Sequence, residues 1–239
     1  MKKGLLLTLL LVMAGAAVWF LRQLLRTPGL PPKPRTVEQV REALRPVMEP
    51  RLRERFERAG VDFPPERLVL VGLKGEKMLE VYGAGRDGVV RLVTSYPILG
   101  ASGAAGPKLR EGDKQVPEGF YRIELLNPNS SYHLSLRVNY PNDDDIAQAK
   151  DEGRDLSNLG GDIMIHGGVG SSGCLAMGDP PVEEIFYLVD RAGLDRTKLV
   201  IVPWDFRARG MNGEVPESAP VWTGALHERL RKALAEYPR

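Results

Sequence analysis

A mainly β fold with added helices, a mixed architecture, is what this sequence predicts, and three observations carry the prediction. From Glu66 onward, short runs rich in Leu and Val (RLVLVGL, MLEVYGAG, GVVRLVTSYPIL) are separated by glycine and charged residues, the pattern of a meander of strands. Residues 132–140 alternate, with His133, Ser135, Arg137 and Asn139 on one face and Tyr132, Leu134, Leu136, Val138 and Tyr140 on the other, the period of a half-buried strand. Helical stripes lie outside this block or directly after its one cysteine.

Taken in order, TPGLPPKPR (27–35) is a proline-rich extended spacer. Thr36 and Gln39 have the spacing of a capping box and start a charged, amphipathic helix running to about Ala59. Pro46 and Pro50 are expected to break it in two, since proline removes a helical N–H and its ring crowds the preceding turn. The strands of 66–97 follow, then GFYRIELL (119–126), a turn at PNSS, and the alternating strand of 132–140. Residues 141–161 are polar with room for a short helix, and DIMIHG is a further strand. Asp179 is placed to cap a helix with Pro180 at its first position, Glu183 and Glu184 in its first turn, and an apolar stripe at 182, 185, 186 and 189. KLVIVPW reads as the last strand and WTGALHERLRKALAEY as the last helix.

Apolar and charged contents of 43% and 27% belong to a globular chain. The formal net charge of +2 hides an asymmetry. Residues 1–26 carry Lys2, Lys3, Arg22 and Arg26 and no acid, which leaves 29 basic against 31 acidic side chains in the remainder. Nothing in that remainder reads as a basic face for nucleic acid. The run from Gly4 to Leu21 is uncharged for 18 residues. It fits a signal peptide cleaved after Ala14-Gly15-Ala16, or an uncleaved anchor continuing through Trp19 and Phe20, and the continuing apolar run favours the anchor. Either reading predicts an exported protein of the periplasm or cell envelope, with a membrane contact through this segment. The expected organisation is a signal or anchor at 1–26, a spacer and helix at 27–65, a catalytic domain at 66–204 and a helical extension at 205–239.

The chemistry concentrates at IMIHGGVGSSGCLAMGD (163–179), which holds the chain's one cysteine, Cys174, one of its three histidines, His166, and five glycines. A thiol becomes a nucleophile when a base takes its proton and a third group holds the base. His166 ends a strand whose alternate residues, Ile163 and Ile165, are apolar, so its ring points away from them. Backbone N–H groups of Gly173 and Cys174 are candidate donors to the oxyanion of a tetrahedral intermediate. Other readings of the same residues are a plain glycine-rich loop, an anion-binding nest, and a zinc site of Cys174, His166 and His133, although the last lacks a recognised ligand spacing. No Gly-Lys-Ser/Thr follows, so this is not a P-loop.

The run His-Gly followed by Ser-x-Gly-Cys resembles the signature of the L,D-transpeptidase catalytic domain family (YkuD-like), and GCLAMGD with its shortened loop resembles the YafK-type murein subgroup. GPKLREGDKQVPEGFYRI (106–123) and SYHLSLRVNYPN (131–142) extend the likeness, which covers roughly 66–204. It implies a β-sandwich-like mixed sheet with the site at one end, a helix after the cysteine loop, Cys174 as nucleophile and His166 as base. It also implies the Gly167 carbonyl on the second ring nitrogen, Gly173 and Cys174 as oxyanion donors, and no metal or other cofactor. The implied partner is a peptidoglycan stem peptide, with a wall-attached protein as a further donor or acceptor. The thiolate would expel the terminal D-alanine, and an amine or water would resolve the thioester.

Two positions depart from the commoner members: Ser172 stands where they have a second histidine, and Ala176 where they have an arginine that holds a substrate carboxylate. Tyr132, His133, Ser171 and Ser172 are the candidate substrate contacts. Alternation lets only one of Tyr132 and His133 reach the site, and His133 is the expected one. The activity expected is an L,D-transpeptidase-type acyl transfer. The alternatives are hydrolysis by the same pair, at a stem cross-link or an attached protein, and a wall-binding module without catalysis.

Overall fold

A computed structural model describes residues 34–208 and 214–239. The segment expected to be a signal or anchor, 1–26, and the spacer up to residue 33 lie outside the described residues. Among the described residues no helix is long and apolar enough to cross a membrane.

Residues from Arg35 onward form one compact unit. Helix α1 (Val37–Arg58) opens it. Then come β1 (Arg67–Leu73), β2 (Met78–Ala84), β3 (Val90–Pro97), β4 (Gly119–Ser130) and β5 (His133–Val138). Helix α2 (Asp143–Asp151), a short 3₁₀ turn, β6 (Met164–His166), β7 (Leu175–Ala176), α3 (Asp179–Ala192), β8 (Thr197–Val202) and α4 (Thr223–Leu234) complete it.

The eight strands make one mixed sheet in the order β3-β2-β1-β8-β4-β5-β6-β7. Only the pairs β1–β8 and β6–β7 are parallel. Strand β4 joins the two halves: Gly119–Arg122 pair with β8, and Ile123–Ser130 pair with β5 across two register shifts. Bulges of this kind bend a strand, and the sheet turns over there. One core then takes Leu68, Leu70, Leu79 and Ile201 from the first half and Leu134, Leu136, Ile165 and Leu175 from the second. Gly100, just past β3, bridges Ala176 of β7, bringing the two ends of the sheet together. The opposite face of β1, Val69, Val71 and Leu73, packs under Leu230 and Leu234 of α4. Being covered on both faces, β1 reads as a nearly unbroken apolar run rather than an alternating one.

Three local expectations need correction. Helix α1 is continuous although it contains Pro46 and Pro50. Both prolines are exposed on its outer side. The inner side is held by Val40, Met48, Leu52 and Phe56 in the core. The first three residues of PNSS are not a turn but the end of β4, and the chain reverses one step later, at Ser131-Tyr132, between the paired Ser130 and His133. The cap of α3 is Gly178, with Asp179 the first helical residue, because the Asp179 carboxylate is engaged elsewhere.

Candidate active site

The site lies on the outer face of the second half-sheet. Leu134, Leu136, Val138, Ile165 and Leu175 point into the core, so their neighbours in sequence point outward. Pairing places Ser135 beside His166 and His166 beside Ala176, with Arg137 beside Met164. One residue before the Ile165–Leu175 pair, Met164 and Cys174 adjoin, and the Met164 N–H donates to Cys174 Sγ at 3.4 Å. By alternation Cys174, the residue just before β7, falls on the same face as His166, two residues apart in register. The two-residue strand β7, unseen in the sequence because the glycines around it carry no alternation, is what places the cysteine there.

His166 is 3% exposed. Its Nδ1 lies 2.6 Å from the Gly167 carbonyl. A carbonyl can only accept, so Nδ1 carries the hydrogen, and in the neutral ring the basic lone pair is on Nε2. Gly167 makes this possible: a Cβ there would fall 2.5 Å from the Tyr132 carbonyl and 2.6 Å from Asp179 Oδ1. That carboxylate accepts the Gly168 N–H at 2.8 Å, so the glycine loop is pinned from the start of α3.

The expected choice between Tyr132 and His133 is reversed. The Tyr132 ring lies over the His166 imidazole, centroids 4.7 Å apart and tilted by 37°, while His133 turns to Glu183 of α3, Nε2 to Oε1 2.7 Å. The cause is His133 itself, at φ 72°, where the Leu134 N–H donates to the Tyr132 carbonyl at 3.0 Å. This left-handed residue resets the alternation at the strand's first position, so Tyr132 does not share the inner face with Leu134.

Cys174 is partly buried. Burial pushes its thiol above the ordinary range, and a nearby Asp162 adds to this, while the Met164 amide and Lys108 act the other way without overcoming it. The thiol donates to the Asp162 carbonyl at 3.6 Å, and among the described residues no hydrogen bond joins it to His166. The group present at rest is a thiol that needs a base, not a preformed thiolate.

The two candidate oxyanion donors are both occupied. The Gly173 N–H donates to Ser102 Oγ at 2.7 Å and the Cys174 N–H to Ser171 Oγ at 3.0 Å. Each serine passes its own proton to a carbonyl, that of Lys114 for Ser102 and that of Cys174 for Ser171. Ser172 is exposed, and Ala176 is fully buried against Gly100. Among the described residues no group of three or more His, Cys, Asp or Glu is placed to hold a metal ion. Ser102 and Asp162 were not legible as neighbours of the cysteine loop, since they come from segments whose sequence carries no periodic signal.

Fold and site together describe a mixed α/β domain with a cysteine and a histidine on one face of a parallel strand pair. The chain belongs to the L,D-transpeptidase catalytic domain family, YkuD, whose family model matches residues 66–202. It is 38% identical over 121 residues to the Escherichia coli K12 protein named "Putative L,D-transpeptidase YafK", covering 50% of this chain and 46% of that protein. The chain thus spans about half the length of the curated relatives it matches. Among solved structures it is similar to the helical cell shape determining protein Pgp2 of Campylobacter jejuni, with 26% identity, TM-score 0.43, and coverage of 56% of this chain and 47% of that one. It is also similar to Bd1075 of Bdellovibrio bacteriovorus, with 21% identity, TM-score 0.42, and coverage of 71% and 54%.

Proposed function

We propose that this chain is an exported cysteine acyltransferase that acts on peptidoglycan stem peptides through a Cys174 thioester. The observation that carries the reading is the fixed tautomer of His166, with Nδ1 on the Gly167 carbonyl and Nε2 free to accept a proton, on the same sheet face as Cys174. For acylation the S–H turns from the Asp162 carbonyl to His166 Nε2, and sulfur attacks the peptide carbonyl. The charge on oxygen collects at the Gly173 and Cys174 N–H groups, which exchange their bonds to the Ser102 and Ser171 hydroxyls for bonds to the oxyanion. His166 returns the proton to the departing amine, which leaves as D-alanine. An acceptor amine then repeats the sequence in reverse: it loses a proton to His166, adds to the thioester, and restores the thiol. Export rests on the basic start and apolar run of residues 1–26, and the peptidoglycan substrate rests on the family.

The test is the full-length chain incubated with purified peptidoglycan, the products being resolved by mass spectrometry against Cys174→Ala. New cross-links or exchanged terminal residues, absent with Cys174→Ala, are expected. Identical products from both proteins would remove the mechanism, and lost cross-links without new amide bonds would make water the acceptor.

Because Ser102 occupies the Gly173 N–H, Ser102→Ala is expected to speed acylation about two- to tenfold, the worth of one net hydrogen bond. Alkylation by iodoacetamide forms no oxyanion and should be unchanged. Acceleration of both reactions would instead point to a generally loosened loop.

A further inference from the structure

The position that holds a carboxylate-binding arginine in commoner family members is the buried Ala176, yet the outer face of this half-sheet carries another cation. Arg137 of β5 pairs with Met164, which adjoins Cys174, so the three form one row across three strands. Strand spacing puts the Arg137 and Cys174 backbones roughly 10 Å apart, and a long side chain covers much of that. Asp162 closes the gap: its carbonyl lies 3.6 Å from Cys174 Sγ, and its carboxylate is 3.9 Å from Arg137 Nη1. One residue, Asp162, thus contacts both the sulfur and the guanidinium.

Its Nε is ion-paired with Glu124 Oε1 at 2.7 Å, while the Nη side of the guanidinium is held only loosely. The Asp162 contact is long, and that side chain is 84% exposed. Asp162 is also held at φ 51°, a left-handed conformation that costs a non-glycine residue free energy and concentrates at functional sites.

We propose that Arg137 is a specificity-determining residue that receives a substrate carboxylate close to the scissile amide, displacing the Asp162 side chain. The inference rests on the acyl-transfer reading for its substrate class, a peptide with a free carboxylate near the bond to be cut. That carboxylate belongs either to the leaving residue's terminus or to the side chain of the acyl residue. A planar guanidinium suits it because its N–H fork matches two carboxylate oxygens.

Binding tests this apart from catalysis. Full-length Cys174→Ala, with and without Arg137→Gln, is titrated with a stem tetrapeptide and with two analogues, one amidated at its C-terminus and the other at its side-chain carboxylate. With Arg137 present, one amidation should weaken binding about ten- to a hundredfold, the range for a charged hydrogen bond. The sensitive analogue names the source of the carboxylate. In Arg137→Gln the unmodified peptide should bind as weakly as that analogue, with no further loss on amidation. Equal sensitivity to amidation in both proteins, or no measurable binding of any peptide, overturns the proposal. Turnover by the wild-type protein is the separate measure of the acyl-transfer reading: discrimination by Arg137 without turnover would retain the site and reject the reaction.

Discussion

Replacing His166 with glutamine is expected to slow acylation of Cys174 at neutral pH by about 10²- to 10⁴-fold, the usual contribution of a positioned general base. The size of the effect follows from the thiol. Burial holds Cys174 above its ordinary value of 9.0, so only a small fraction is thiolate at pH 7, and without Nε2 nothing within the site takes the proton. The pH profile separates loss of the base from loss of structure. In His166→Gln, acylation should rise about tenfold per pH unit up to the thiol pKa, because each unit raises the thiolate fraction tenfold. In the wild type the imidazole removes most of that dependence. Rapid-quench mass spectrometry of the acyl-enzyme at several pH values reads both slopes, and equal neutral-pH rates would move the role of base to another group.

How far the site was legible depends on which physical signal each residue carried. Cys174 and His166 stood out because a thiol and an imidazole eight residues apart in a glycine-rich run have a chemical meaning that needs no coordinates. The strand face carrying Ser135 and Arg137 was also visible as alternation. Its adjacency to Cys174 was not, because pairing of β5 with β6 and β6 with β7 joins segments whose sequences say nothing of their neighbours. Tyr132 was misplaced for a different reason: alternation assumes an extended backbone, and His133 leaves it. Ser102 reaches Gly173 from 71 residues away, a contact without local signature. The same distinction runs through the fold. Local periodicity located most of the strands and helices. The turn of the sheet at β4 and the survival of α1 across two prolines depend on packing between distant elements.

The largest effect on stability is expected where α1 meets α3. Glu184, 4% exposed, accepts from Arg51 and Tyr96 at 2.6 Å each and from Arg55. On the same seam Tyr187 donates to Glu49, and Arg41 reaches Asp190. Burial alone would raise the Glu184 carboxyl, but the bonds from Tyr96, Arg51 and Arg55 outweigh it and hold the group below its ordinary 4.5. Glu184→Ala strands a buried tyrosine hydroxyl and two arginines. Breaking a fully buried pair costs about 3–5 kcal/mol. Arg51 and Arg55 keep 47% and 30% of their side chains in water, so about 2–4 kcal/mol is expected here. Because the folded-state pKa is depressed, this contribution is complete above the unfolded-state value near 4.5 and is lost as pH falls through the lower folded-state value. Urea unfolding of wild type and Glu184→Ala should therefore differ by a constant amount from pH 8 to 6 and converge in the acid range. A gap that persisted undiminished below pH 4 would assign the loss to packing of the side-chain stem rather than to its charge. Since α3 also carries Asp179 and Glu183, which pin the Gly168 loop and His133, movement of α3 in Glu184→Ala should appear as a weakened Tyr132–His166 contact before the domain unfolds.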